Sequence, residues 1–226
     1  NTVSIEFSSD YGEKPQDTRI AGNPNLPSDT AYIQFTAFNG NAYDEFVTVM
    51  NYLKNSGKTK LILDLRNNGG GYMDKLTAIA SLFINNGGKK NNVVAISKNN
   101  DNVTTEFKTS ANTYIPLNKM VVLANENTAS ASECLIGALV HYGALSMDNI
   151  VVTNADYDGT GTNATYGKGI MQTTYPSGSG TAVKLTTARI YWPDGETCIH
   201  GVGVKATAQN STAYSDGLTR ALELIG

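Results

Sequence analysis

No run of lysines and arginines occurs in the 226 residues, and 17 Lys and Arg against 20 Asp and Glu leave a formal charge of −3. A chain without a basic stripe has little with which to neutralise phosphates, so nucleic-acid binding is disfavoured. No apolar stretch approaches the roughly 20 residues that span a bilayer. No signal peptide is visible either: the chain opens at Asn1 on a polar segment without Met, and reads as a mature or trimmed form. Charged residues are scarce at 16%, and hydrophobic residues reach 40%, which excludes a disordered or coiled-coil chain and leaves a packed core. Cysteine is limited to Cys134 and Cys198. Two cysteines form one disulfide or none, and the plainer reading is two small buried apolar residues. His141 falls inside a predicted helix and His200 beyond a strand, with no serine motif beside either, so a Ser–His–Asp triad is disfavoured. Cys134, His141, Cys198 and His200 match no zinc spacing, and no metal site is expected. Cys134 has no evident paired base that would make it a nucleophile.

What is present is an alternation of strand and helix patterns. Residues 1–30 are polar, carry Pro15, Pro24 and Pro27, and read as an arm or connector with one short strand over Thr2–Phe7. Residues 31–226 read as one domain. Strands are predicted over Ala31–Phe38, Lys60–Leu65, Asn92–Ser97, Val103–Lys108, Met120–Ala124, Ile150–Thr153, Gly169–Tyr175 and Ala182–Trp192. Phe46, Val49, Met50 and Leu53 recur at three- and four-residue spacing and predict a helix over Ala42–Asn55, which Gly57 stops. Further helices are expected over Met73–Ile84, from near Ala129 onward, and over Tyr214–Ile225. The alternation implies an α/β fold.

Three segments carry chemistry. Asp64-Leu65-Arg66-Asn67-Asn68-Gly69-Gly70-Gly71 follows a buried strand, and its glycines leave backbone N–H groups free to meet an oxyanion, or simply make a tight turn. It lacks the spacing of a nucleotide-binding loop. Asn125-Glu126-Asn127-Thr128-Ala129-Ser130-Ala131-Ser132-Glu133 opens an apolar helix, with small residues on both sides of Ser130. A serine there benefits from the helix dipole, yet Ser130 and Glu133 also have capping-box spacing. Tyr166-Gly167-Lys168-Gly169-Ile170-Met171-Gln172 sets a lysine between glycines just before a strand. Held in a tight space, such a lysine loses hydration and can serve as a neutral base; on an exposed turn it is only a surface charge.

Taken together and in this order, the segments resemble the S41 family of carboxy-terminal processing, or tail-specific, proteases. The resemblance spans about residues 30 to 205 and includes Leu185–Gly195. It implies a ClpP/crotonase-like α/β core of mixed sheets flanked by helices. It also implies Ser130 as nucleophile, Lys168 as base, Gln172 orienting the lysine and Glu133 in support. Oxyanion donors would be the N–H groups of Ala131 and Gly70. The implied activity is endopeptidase cleavage of extended or unfolded polypeptides, near their C-termini in some relatives. No cofactor is needed, the partner is a protein or peptide substrate, and the implied location is exported: the cell envelope, periplasm or exterior of a bacterium. One alternative is a catalytically idle binding module of the same fold, like the interphotoreceptor retinoid-binding type, which holds hydrophobic ligands. Another is an amidase or esterase using the same pair.

The sequence departs from the family pattern in places. Many relatives carry a PDZ domain ahead of the core, and residues 1–30 are too few to hold one. Gly69 stands where many relatives have proline. His200-Gly201-Val202-Gly203-Val204-Lys205 replaces a G-x-x-P-D segment. Ser130 and Lys168 lie further apart than expected, and the added length over Ala144–Thr165 is predicted to form a surface flap or loop, a candidate for shaping the substrate groove.

Overall fold

The computed structural model describes residues 3–6, 26–85, 91–110, 114–178 and 180–226. Two sheets carry the molecule. The first contains β1 (Val3–Glu6), β2 (Thr30–Phe35), β3 (Lys60–Asp64), β6 (Lys119–Asn125), β7 (Ile150–Asn154) and β10 (Ser211–Ala213), in the order β1-β2-β3-β6-β7-β10. Only the β1–β2 pairing is antiparallel; the rest of this sheet is parallel. The second sheet is antiparallel, in the order β5-β4-β9-β8, from β4 (Val93–Lys98), β5 (Thr104–Lys108), β8 (Ile170–Pro176) and β9 (Ala182–Tyr191).

The parallel strands are covered on both faces, which explains their continuous apolar runs. Successive residues point to opposite sides. Leu61, Leu63, Met120, Val122, Ala124, Ile150 and Val152 enter the larger core. Tyr32, Ile62, Val121, Leu123 and Val151 enter a smaller one with Leu218, Ala221 and Ile225. Helices α1 (Ala42–Asn55), α2 (Met73–Phe83) and α3 (Ala131–His141) serve the larger core, and α4 (Gly217–Ile225) closes the smaller. In α1 the buried side chains are those that the periodicity picks out, Phe46, Val49, Met50 and Leu53. Phe46 packs edge-on against Phe35 and Phe83, with ring centroids 4.8 and 5.9 Å away.

Both ends of the chain depend on pairing within the first sheet. The short strand expected over Thr2–Phe7 is present as Val3–Glu6, and it and Leu26 tie the N-terminal segment to the domain, by pairing with β2 and by packing in the smaller core; most of that segment, 7–25, lies outside the described residues. The helix α4 begins at Gly217 rather than Tyr214, because Ser211–Ala213 is drawn into pairing with β7. No helix among the described residues is long and apolar enough to cross a membrane.

Candidate active site

In a parallel sheet, ligands gather at the carboxyl ends of the strands. Here β3 and β6 are neighbours in register, Asp64 beside Leu123, so the segments that follow them meet. The turn after β3 is fixed by Asn68, which is buried: its Nδ2 donates to Phe35 O at 3.0 Å, and its backbone oxygen accepts from Ala129 N and Ser132 Oγ, both at 3.0 Å. Asn67 ties the same turn to the loop after β6, accepting from Asn125 Nδ2 at 2.8 Å and Asn127 Nδ2 at 3.1 Å. Gly70, at φ +95°, lies directly under the serine: a Cβ there would sit 2.8 Å from Ser130 Cβ, Ala129 O and Ala131 N.

Ser130 is the half-buried residue between β6 and α3, with φ 59° and ψ −116°. Positive φ is uncommon for a residue with a side chain, and such strain concentrates at functional sites. This backbone is also why α3 starts at Ala131 and not at Ala129. The backbone half of the capping-box interaction is made, Ser130 N–H donating to Glu133 Oε2 at 2.8 Å. Ala131 N–H, first in the helix, is one of the groups that a helix cannot pair internally.

Glu133 is completely buried and does more than cap. Its carboxylate also accepts from Thr165 Oγ1 at 2.5 Å, Gly167 N at 2.8 Å and Lys168 N at 2.9 Å. One carboxylate thus staples the backbone of the Lys168 loop to the start of the serine helix. From the other side, the segment over Ile199–Val204 presses on this loop. Gly201 N donates to Gly167 O at 2.8 Å, and Val204 N to Thr165 Oγ1 at 2.7 Å. A Cβ on Gly167 would lie 2.9 Å from the N atoms of Val202 and Gly203, and one on Gly169 2.7 Å from His200 N. The two glycines that flank Lys168 are therefore required by close packing. The 200–205 stretch, whose role was open in the sequence, is the backing of the lysine loop. Thr165 is a residue that sequence reasoning missed; no motif singles it out.

Ser130, Lys168, Gln172 and Gly70 all line one open groove of about 590 Å³, with Asn39, Tyr72 and the strand Ile170–Thr174 along its wall. Lys168 is half-buried rather than buried, and Gln172 likewise. Among the described residues no hydrogen bond joins Ser130 Oγ to Lys168 Nζ, although the two face the same space. Gly70 N–H donates to Asn68 Oδ1 at 2.9 Å, so in this conformation it is not free to meet an oxyanion. The 144–165 region carries an exposed loop over residues 155–162, as the surface-loop expectation has it, but it does not line the groove. It contains the buried strand β7, and Asn163 Nδ2 pins its end to the backbone of β7 and β10, at Val152 O and Thr212 O, both at 2.9 Å.

Both cysteines are free thiols. Burial pushes the Cys134 thiol up to about 12, with the Glu133 carboxylate and Cys198 adding to it, which suits a packing role and not a nucleophile.

Residues 29–209 match the sequence profile of Peptidase family S41. The chain is 32% identical over 175 residues to the "Probable CtpA-like serine protease" of Staphylococcus epidermidis, covering 77% of this chain and 32% of that protein. It is 34% identical over 149 residues to the Staphylococcus aureus protein of the same name, covering 66% and 27%. The chain thus spans about a third of the length of the curated relatives it matches. Among solved structures, a photosystem II D1 C-terminal processing protease superposes with TM-score 0.67 at 23% identity, over all of this chain and 53% of that one. A lipoprotein from Streptococcus agalactiae superposes with TM-score 0.57 at 16% identity, over 89% of this chain and 67% of that one. These likenesses fix the fold: an α/β core of mixed sheets shared with S41 proteases.

Proposed function

This chain belongs to peptidase family S41, and on that footing we propose that it is a serine endopeptidase in which Ser130 is the nucleophile and Lys168 the base. The observation that carries the reading is the convergence of Ser130, Lys168 and the Gly69–Gly71 turn on one groove from three separate parts of the chain. Lys168 Nζ, in its neutral form, takes the Ser130 Oγ proton, and the alkoxide attacks the peptide carbonyl. Ala131 N–H and an N–H of the glycine turn receive the oxyanion. Gly70 fills that second role once its N–H leaves Asn68 Oδ1. Lys168 then gives the proton to the leaving amine, and water hydrolyses the acyl-enzyme. Gln172, on the same wall of the groove, orients the lysine. Glu133 acts through the backbone, fixing the distance between the two loops.

The substrate is an extended or unfolded polypeptide. The groove runs along β8, an edge strand of its sheet among the described residues, and an edge strand offers unpaired N–H and C=O groups to an extended chain. The lining mixes Lys168, Gln172, Thr173, Thr174 and Lys184 with Tyr72, Met73, Ile170, Met171 and Ile190, which suits an extended chain that offers both a polar backbone and apolar side chains. The matched relatives are bacterial proteins, and an exported, cell-envelope location is the corresponding proposal.

The test is incubation of unfolded casein with the chain and with Ser130→Ala and Lys168→Arg, fragments being read by mass spectrometry. Arginine keeps the charge and length but does not give up its proton. The unsubstituted chain is expected to cleave, and both variants to fold with rates lower by at least about a thousandfold. Cleavage that survives Ser130→Ala would end the assignment.

A further inference from the structure

The wall of the groove holds a second cation that the proposed chemistry does not use. Lys184, on β9, stands directly opposite Thr174 of β8 in the antiparallel register, and both line the groove with Ser130. Residues in direct register share a face of the sheet. Over Ala182–Thr186, β9 pairs only with β8, because its pairing with β4 is confined to Arg189–Tyr191. The hairpin therefore extends as a two-stranded arm beside the groove, with Thr174 and Lys184 toward its outer part. Lys184 has no ion-pair partner among the described residues. The groove lining contains Lys168 and Lys184 and no aspartate or glutamate. A cleft lined by one sign of charge concentrates the opposite sign, although the chain as a whole is acidic.

We infer that Lys184 is a specificity residue: it receives a carboxylate of the polypeptide lying in the groove, either an acidic side chain or the free C-terminus. From Ile170, two residues after Lys168, to Thr174 the strand rises roughly 13 Å, so the carboxylate lies toward the far end of the groove from the bond cut beside Lys168. The inference rests on the peptidase reading for the position of that bond, but the binding preference itself does not require turnover.

The experiment separates the two. Dye-labelled peptides share one neutral sequence and differ by a glutamate or a lysine scanned through each position, each with a free or an amidated C-terminus. Affinities are measured by fluorescence anisotropy on Ser130→Ala, with and without Lys184→Glu or Lys184→Gln, and kcat/KM on the chains that keep Ser130. A carboxylate at the matching position is expected to tighten binding about two- to fivefold over its lysine twin at low salt. Lys184→Gln should remove that difference and Lys184→Glu invert it. A gain confined to one scanned glutamate identifies a side-chain carboxylate, and a gain lost on amidation identifies the C-terminus. Equal affinities for all peptides, no binding at all, or a preference unmoved by Lys184→Glu would each overturn the assignment. Charge-dependent binding by Ser130→Ala without cleavage by the unsubstituted chain would leave Lys184 standing and remove the peptidase reading. Cleavage blind to charge would do the reverse.

Discussion

Ser130 carries a conformation that its side chain disfavours, φ 59° with ψ −116°, and the surroundings impose it. Asn68 grips Ala129 and Ser132 on either side, and Glu133 holds the serine's own N–H. Backbone strain of this kind costs about 1–3 kcal/mol. Glycine relieves it but loses about 0.5–1 kcal/mol through its more flexible unfolded chain. Ser130→Gly should therefore melt higher than Ser130→Ala by about 2–4 °C, corresponding to a net gain of about 1 kcal/mol. Both variants lack the hydroxyl, so differential scanning calorimetry on the pair isolates the backbone. Equal melting temperatures would mean that the site holds the serine without strain.

At the level of elements, the decisive join is between the N-terminus of α3 and the loop that enters β8. Thr165 is its hinge pin, donating to Glu133 Oε1 and accepting from Val204 N. Thr165→Val keeps the shape and removes the hydroxyl, leaving a buried N–H without its acceptor at a cost of about 1–3 kcal/mol. A lysine loop displaced by about 1 Å loses rate steeply, so kcat is expected to fall about ten- to a hundredfold with KM little changed. Thr165→Ser restores the hydroxyl and should recover most of the rate. A valine variant with full kcat, or a serine variant as slow as the valine one, would remove Thr165 from the positioning role. Gly203 belongs to the same join: a Cβ there would lie 2.2 Å from Thr165 O, which is why a glycine-rich segment backs the loop.

For the whole molecule, a buried ion pair at the end of β3 joins the first sheet to the segment that leads into α4. Arg66 Nη2 lies 2.6 Å from Asp64 Oδ2, the pair is about 1% exposed or less, and the guanidinium stacks 4.7 Å from the Tyr214 ring near the start of α4. Tyr32, in the smaller core, donates its hydroxyl to Asp64 as well. Arg66→Met leaves the Asp64 carboxylate buried without its cation, and breaking such a pair costs about 3–5 kcal/mol. The urea midpoint should drop accordingly, and a midpoint close to that of the unsubstituted chain would refute the structural role. Within the first motif the aspartate and arginine hold the end of β3, and Asn68 then sets the turn.

Periodicity and composition by themselves determined the alternating α/β plan, the full extent of α1, and the strand-turn-helix context of the first two motifs. These are legible because side-chain spacing reports directly on burial, and because glycine and small residues mark places where the backbone must bend or be approached. The ordered motifs also named the serine and the lysine. Tertiary structure decided the rest. Parallel pairing of β3 with β6 brings the glycine turn under Ser130, a contact that no local pattern contains. The short strand β10 and the later start of α4 arise from pairing with β7, which only a partner strand can dictate. Glu133 and Thr165 have a shared role because a buried carboxylate must find donors, and the fold supplies them from the lysine loop. The occupied N–H of Gly70 and the lack of a Ser130–Lys168 bond among the described residues are likewise conformational facts, since one backbone turn and one lysine rotamer decide them rather than residue identity.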